Sequence, residues 1–355
     1  MRAAVWHGRR DIRVQEFPDP GDPAPDEVRL RVAWCGICGT DLEEYLHGPL
    51  FIPVKEPNRL TGVKAPLVMG HEFVGRVEEV GQGVHDLQPG DHVAVDTLIH
   101  CGECTFCQRH QVHLCEQLAI MGLSTHGGLA EFVNAPRYMC FKYPTSLADP
   151  HAALAEPASV AVHATRKGRL EAGETVAIVG AGTIGLLNLQ VALAMGAGRA
   201  FVVEPEPRRR QLAMDLGATS SIDPLAEDAV LAVRRFTRGA GVDIAFEDAG
   251  TTQAMAMVPD LVRKAGRAVF VGLHDEPVPM QMVSVVCGEK ELIGSFSHVY
   301  DEDFSTAVEM LSTGSIVAEP LITAQIGLDD LVPHGLEELA CGKARHLKIL
   351  VSPRL

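Results

Sequence analysis

An apolar run, TVAIV, ends on Gly180 and passes through Gly182 and Gly185 into the stretch TIGLLNLQVALAMGA. A run of β-forming residues, a G-x-G-x-x-G spacing and then helical periodicity leave few architectures open. The grammar repeats: AFVVE follows, then RRRQLAMDLGA, then VDIAFEDAG and GRAVFVGL. Apolar strands alternating with helices predict βαβ units and a parallel, doubly wound α/β sheet of the Rossmann kind over residues 156–295. Residues 1–155 read differently, as short β-like runs (EVRLRVAWC, FVGRVEEVG, DHVAVDTLI) cut by pairs such as Pro89-Gly90. That texture predicts a compact β-rich domain, which residues 296–355 complete with one or two helices and the closing strand HLKILVSP. No internal repeat or low-complexity segment is present.

The glycines carry a chemical expectation. Without side chains, Gly180, Gly182 and Gly185 let the backbone turn tightly and approach a pyrophosphate, which then rests on the helix N-terminus opened by Thr183 and Ile184. AFVVE ends at Glu204, 24 residues after Gly180, where a carboxylate meets the adenosine ribose hydroxyls. A carboxylate accepts from a 2'-OH and repels a 2'-phosphate, so NAD is expected rather than NADP. Arg208, Arg209 and Arg210 bear on this in one of two ways, as a solvated helix start or as a phosphate clamp through residues such as Arg209.

The balance of 31 basic and 46 acidic residues gives a net charge of −15, and no basic run exceeds the three arginines at 208–210. This argues against a nucleic-acid backbone as partner and for a small-molecule substrate. The first residues, MRAAVWHGRRDIRV, lack the apolar core of a leader, and no 18-residue apolar run occurs, so a cytoplasmic protein without membrane association is expected. Nine cysteines, five of them between Cys101 and Cys140, suggest metal before disulfide in a reducing compartment. Cys101, Cys104, Cys107 and Cys115 are spaced C-x2-C-x2-C-x7-C. Four thiolates so close can fill a tetrahedral zinc shell and leave no position for substrate, which makes the site structural. The competing readings are buried or oxidised cysteines and an iron–sulfur cluster, whose ferredoxin spacings differ.

A second set is dispersed: GICGTD with Cys38 and Thr40, MGHEF with His71 and Glu72, and EPASVAVHA with Glu156. Each is weak alone. Together with the cysteine lobe and GGLAEF (127–132), and in this order, they resemble the zinc-containing medium-chain alcohol dehydrogenases, and the likeness spans the whole chain. The stretch HGPLFIPVKEPNRLTGVKAP between Cys38 and His71, with the closing EPLITAQIGLDDL and HLKILVSP, resembles the butanediol and polyol dehydrogenase branch.

The resemblance implies a GroES-like catalytic domain beside the Rossmann domain, two zinc ions per chain, and an assembly of two or four copies. Cys38 and His71 are implied as ligands of a catalytic zinc, with Glu156 where liver-type enzymes carry a cysteine. Glu72 is the alternative carboxylate, exchanging with Glu156 or water, and Asp41 a partner that orients a ligand. Cys35 would pack as a small apolar residue. The implied reaction moves a hydride between an alcohol carbon and nicotinamide, with zinc as Lewis acid and the Thr40 hydroxyl taking the alcohol proton. A vicinal diol or hydroxyketone such as 2,3-butanediol or acetoin is the expected substrate, with sorbitol-type polyols or L-threonine as alternatives. A nucleotide-binding protein without catalysis would have no need of Cys38, His71 and Glu156 together. Many relatives read G-[ST]-D-x-H, with the histidine ending a proton relay. Here Glu43 stands in that place, either as the relay's acceptor or as a solvated acid on a loop.

Overall fold

Strand Glu27–Gly36 organises the first part of the chain. Val28, Leu30 and Val32 alternate into the core and pack with Phe73, Val77, Val93 and Val95, the period-two burial that a half-covered strand requires. One edge pairs antiparallel with Glu72–Val80, which sets Gly36 opposite Glu72. The other edge is shared. Phe132–Pro136 pairs with residues 27–31, and the C-terminal strand Lys348–Ser352 pairs with the end, Leu350 facing Gly36. The sheet order is Cys140–Lys142, His92–Val95, Glu72–Val80, Glu27–Gly36, Lys348–Ser352, Ile322–Gly327. A residue near Gly36 is therefore flanked by the segment around residue 72 and by the last strand of the protein.

The computed structural model describes residues 1–342 and 345–355. The chain divides into two compact units. One comprises Met1–Glu156, Val299–Thr313 and Leu321–Leu355; the other comprises Pro157–His298 and Gly314–Pro320.

In the second unit six strands pair, all in parallel, in the order Ser220–Ile222, Arg199–Val203, Thr175–Val179, Val242–Glu247, Val262–Phe270, Glu291–Gly294. In chain order this is 3-2-1-4-5-6, the doubly wound arrangement expected from the alternating pattern. The order reverses between Thr175–Val179 and Val242–Glu247, and in such sheets a ligand crevice opens outside the strand ends at that point. Helix Thr183–Ala194 is apolar nearly all round, with Leu186, Leu187, Leu189 and Val191 buried, as a helix covering a sheet must be. Its buried polar exceptions are Asn188 and Gln190.

Candidate active site

Cys38 ends the turn after strand Glu27–Gly36 and caps helix Gly39–His47. Asp41, at the third helical position, accepts from the Cys38 backbone N–H at 2.9 Å, the return half of a capping box. Its other oxygen lies 3.4 Å from His71 Nδ1, so one buried carboxylate bonds the cysteine backbone and stands at ion-pair distance from the ring. His71 immediately precedes the neighbouring strand and Glu72 begins it, and the donor atoms of Cys38, His71 and Glu72 all lie within 4.8 Å of one another. Burial acts to lower the His71 pKa, but Asp41 and Cys38 outweigh it and hold the imidazole well above its usual range.

Glu72 is also held from the other side. The Lys348 ammonium donates to both of its oxygens, at 2.8 and 2.5 Å, and to the Ile37 carbonyl at 3.1 Å. Both side chains are almost completely enclosed, 5% and 1% exposed. No side chain fits at Gly36, where a Cβ would collide with Glu72 Oε2. Burial acts to lower the Lys348 pKa, yet Glu72, Cys38 and Glu156 keep it raised. Glu156, near the start of helix Ala155–Lys167, thus joins the same field. One ammonium faces a thiol and several carboxylates, an excess of negative charge that a divalent cation would balance, and S, N and O donors are those zinc takes.

Thr40 Oγ1 is 3.8 Å from Cys38 Sγ. Glu43 lies on helix Gly39–His47 rather than on the loop that one sequence reading allowed. The capping box explains the difference, since Asp41 starts the helix immediately after Cys38. Glu43 is 45% exposed and sits 3.8 Å from His47. The adjacent acid, Glu44, is buried and accepts backbone N–H groups from Leu50, Phe51 and Ile52, tying down the segment that follows the helix. Cys35 is fully buried in the core.

The four lobe cysteines also converge. Their sulfurs lie within 4.8 Å of one another, with Cys101–Cys107 at 3.8 Å and Cys104–Cys107 at 3.5 Å. A disulfide would bring two sulfurs to about 2.05 Å, whereas a tetrahedral shell with zinc–sulfur bonds of about 2.3 Å spaces them by about 3.8 Å. Backbone N–H groups of Cys107 and Glu116 push the Cys104 thiol down to about 6, whereas burial and hydrogen bonds to neighbouring thiols push Cys107 up to about 12 and burial raises Cys115, so the four sulfurs become thiolates together only with a cation among them. The lobe fits a closed zinc site.

In the second unit Gly180 has φ +100°, and a Cβ on Gly185 would collide with the Gly180 carbonyl. Gly182 caps helix Thr183–Ala194 without a side-chain hydrogen bond, leaving its N–H groups for an anion. Glu204 is buried beside the loop, accepting from Ala181 N at 2.7 Å and Glu206 N at 2.9 Å. Arg210 donates to the Glu204 carbonyl at 2.8 Å and pairs with Asp223 at 3.0 Å. The Arg209 N–H donates to the helix cap Glu206. The loop has the open cradle a dinucleotide needs.

Comparison with known proteins bears directly on this geometry. Residues 24–145 match the alcohol dehydrogenase GroES-like domain, and residues 183–313 match the zinc-binding dehydrogenase family. The (R,R)-butanediol dehydrogenase of Bacillus subtilis is 38% identical over 99% of this chain and 100% of its own. The chain belongs to the zinc-containing medium-chain alcohol dehydrogenases. Among solved structures, 2R,3R-butanediol dehydrogenase from Bacillus subtilis superimposes with a TM-score of 0.92 at 37% identity, covering 99% of both chains. A zinc-binding dehydrogenase from Sinorhizobium meliloti, solved bound to NADP, gives 0.90 at 32% identity, again over 99% of both. This alcohol dehydrogenase therefore has the GroES-like and Rossmann folds expected from its motifs, and no described helix is long and apolar enough to cross a membrane. Sequence reasoning missed Lys348, Glu44 and Asp248. The first two act through contacts distant in sequence or through the backbone; the third was visible as an acid inside an apolar strand ending, FEDAG.

Proposed function

We propose that this alcohol dehydrogenase interconverts a vicinal diol and its hydroxyketone, 2,3-butanediol and acetoin in the simplest case, with NAD as hydride acceptor. The observation that carries the reading is the full-length likeness to the butanediol dehydrogenase of Bacillus subtilis, joined to a carboxylate-rich donor set. Cys38, His71 and a carboxylate from Glu72 or Glu156 would hold a catalytic zinc, and Cys101, Cys104, Cys107 and Cys115 a second, structural one. A zinc ion held there would supply Lewis acidity at the alcohol oxygen. Oxygen donors in place of a second thiolate suit a chelating diol better than a lone hydroxyl.

The chain's own groups do the rest. Asp41 holds the His71 ring in one orientation. Lys348 holds Glu72 in reserve. The Thr40 hydroxyl takes the alcohol proton and passes it outward toward Glu43, which lies three residues on and thus on the same helix face. Gly180, Gly182, Thr183, Ile184 and Gly185 cradle the pyrophosphate. Glu204 would meet the adenosine ribose and disfavour a 2'-phosphate, and the engagement of Arg210 with Asp223 supports the same choice.

The test is kcat/KM for oxidation of 2,3-butanediol, sorbitol, L-threonine and ethanol with NAD and NADP in parallel, and for reduction of acetoin with NADH and NADPH. Butanediol is expected to lead with NAD, and acetoin to be reduced efficiently with NADH. Sorbitol leading would move the chain to the polyol reading, and a simple primary alcohol leading would overturn the diol assignment.

The relay has its own test. A free carboxylate and a free imidazole differ as acceptors, with ordinary pKa values of about 4.3 and about 6.5, so exchanging one for the other at position 43 should change the pH dependence of the relay. Glu43→Gln is expected to slow oxidation at pH 7 by up to about tenfold, below the ~10²- to 10⁴-fold of an aligned base because this side chain is partly open to water. Glu43→His should restore much of the rate and add a titration between roughly pH 6 and 7. An unchanged rate in Glu43→Gln would mean that water accepts the proton directly.

A further inference from the structure

The reversal of strand order in the second unit puts two residues side by side: Gly180 after Thr175–Val179, and Asp248 after Val242–Glu247. The Asp248 N–H donates to the Val179 carbonyl at 2.9 Å. A Cβ built on Gly185 would stand 3.4 Å from the Asp248 Cβ, and one on Gly180 would press against Ala249. Asp248 thus stands against the inner side of the glycine loop. It is half-buried, so part of its surface stays open.

Two groups face its carboxyl. From helix Thr183–Ala194 the Asn188 amide donates to its oxygens at 3.2 and 3.5 Å, and the Asn188 carbonyl oxygen accepts from the Thr165 hydroxyl at 3.0 Å. From its own strand the neighbour is Glu247, another acid, which burial also shifts upward although backbone N–H groups of Gly250, Ala249, Gly272 and Thr251 oppose the shift. Among the described residues no basic side chain acts on Asp248. Enclosure pushes its carboxyl up to about 8, with Asn188 opposing and Glu247 reinforcing the shift.

We propose that Asp248 is a proton-dependent positioning residue of the dinucleotide site, which binds its cofactor with the Asp248 carboxyl protonated. The inference rests on reading the glycine loop as that site. A dinucleotide seated on the loop covers the open surface of Asp248 and adds phosphate charge to a region that already holds Glu204 and Glu247. Both effects disfavour a carboxylate, whereas the neutral acid can donate a hydrogen bond and keeps the loop's N–H groups free of a competing charge. Binding the cofactor above the titration point therefore takes up one proton from solvent.

The experiment measures the dissociation constant of NADH by fluorescence, with no alcohol present, from pH 6 to 9.5 in wild type and Asp248→Asn. Wild-type affinity is expected to be flat at low pH, to break at or below about pH 8 because the open surface lets water stabilise the carboxylate, and then to weaken by up to tenfold per pH unit. Asp248→Asn, isosteric and uncharged, should bind within a few-fold of wild type at pH 6 and stay flat. The melting temperature of the cofactor-free protein is an independent readout. A raised carboxyl pKa contributes stability that is complete below its unfolded value near 3.9 and is lost as pH rises through the folded one. Wild type should therefore fall relative to Asp248→Asn between about pH 4 and 8 and run parallel above. Parallel binding profiles, or an Asp248→Asn defect of the same size at every pH, would overturn the proposal. Absence of NADH binding at any pH in either protein would refute the dinucleotide site itself, and the inference with it.

Discussion

Cys38→Ser is expected to abolish turnover while leaving the melting temperature nearly unchanged, and Cys107→Ser to do the reverse in kind, lowering stability first. The contrast follows from how each cysteine is held. Cys38 caps helix Gly39–His47, and serine is a favoured capping residue, so the helix start and the Asp41 bond survive substitution. What is lost is the sulfur donor of the group formed with His71 and Glu72. Lewis acidity at the reacting oxygen supplies several kcal/mol, and at 1.36 kcal/mol per decade its loss corresponds to about 10³-fold or more in kcat/KM. Cys107 sits among three other sulfurs in a lobe built on the four-residue helix Thr105–Gln108, too short to stand without a cross-link. Metal there contributes folding free energy directly. With each kcal/mol worth roughly 2–4 °C in a domain of this size, a fall of at least about 5 °C is expected for Cys107→Ser. Metal analysis should give two zinc ions per chain in wild type and one in each variant. A fully active wild type holding a single zinc would end the division of roles.

Much of this arrangement is legible in the amino-acid order because it is local. The spacing of Cys101, Cys104, Cys107 and Cys115 fits one short lobe, and the G-x-G-x-x-G turn needs only the residues flanking it. The strand and helix periods carry the parallel sheet. The helical setting of Glu43 was also signalled, by Asp41 three residues after Cys38 in the capping position, although cysteine at the cap hides the usual signature. Partnerships decided by sheet register are not legible. Glu72 and Lys348 are 276 residues apart and meet because the last strand pairs beside Gly36 while Glu72 pairs across from it. Nothing in KILVS distinguishes a buried lysine from a strand-edge lysine at the surface, and the prior for lysine is exposure. Asp248 is visible in FEDAG as an acid at an apolar strand ending, but its partners are not, because strand order rather than sequence neighbours sets its environment.

Lys348→Met is expected to be among the most destabilising single substitutions in the first unit, by about 3–5 kcal/mol, because it leaves Glu72 enclosed without its counter-charge. Methionine matches the length of the lysine stem, so packing against Gly36 changes little and the measured loss reports the charge. The lysine's raised pKa gives the loss a flat pH profile through neutrality. A raised lysine contributes stability that is complete below its unfolded value near 10.4 and lost only as pH climbs through the folded one. The wild-type advantage should accordingly hold from about pH 6 to 9. Adding Glu72→Gln to Lys348→Met removes the stranded charge and should recover a large part of the stability, since replacing both members of a buried pair costs far less than breaking it. Activity is expected to separate the two roles of Glu72. With Lys348 gone, the Glu72 carboxylate is no longer held by its two hydrogen bonds from the ammonium and competes for the metal that Cys38 and His71 would bind, so Lys348→Met should lower kcat even at temperatures where it is fully folded. The double variant should regain stability without regaining the wild-type rate if Glu72 exchanges at the metal during turnover, and should regain both if Glu72 serves only as the partner of Lys348. Denaturant unfolding and kcat on the same four proteins, wild type, both singles and the double, measure the coupling, and a coupling near zero would show that Lys348 and Glu72 act independently.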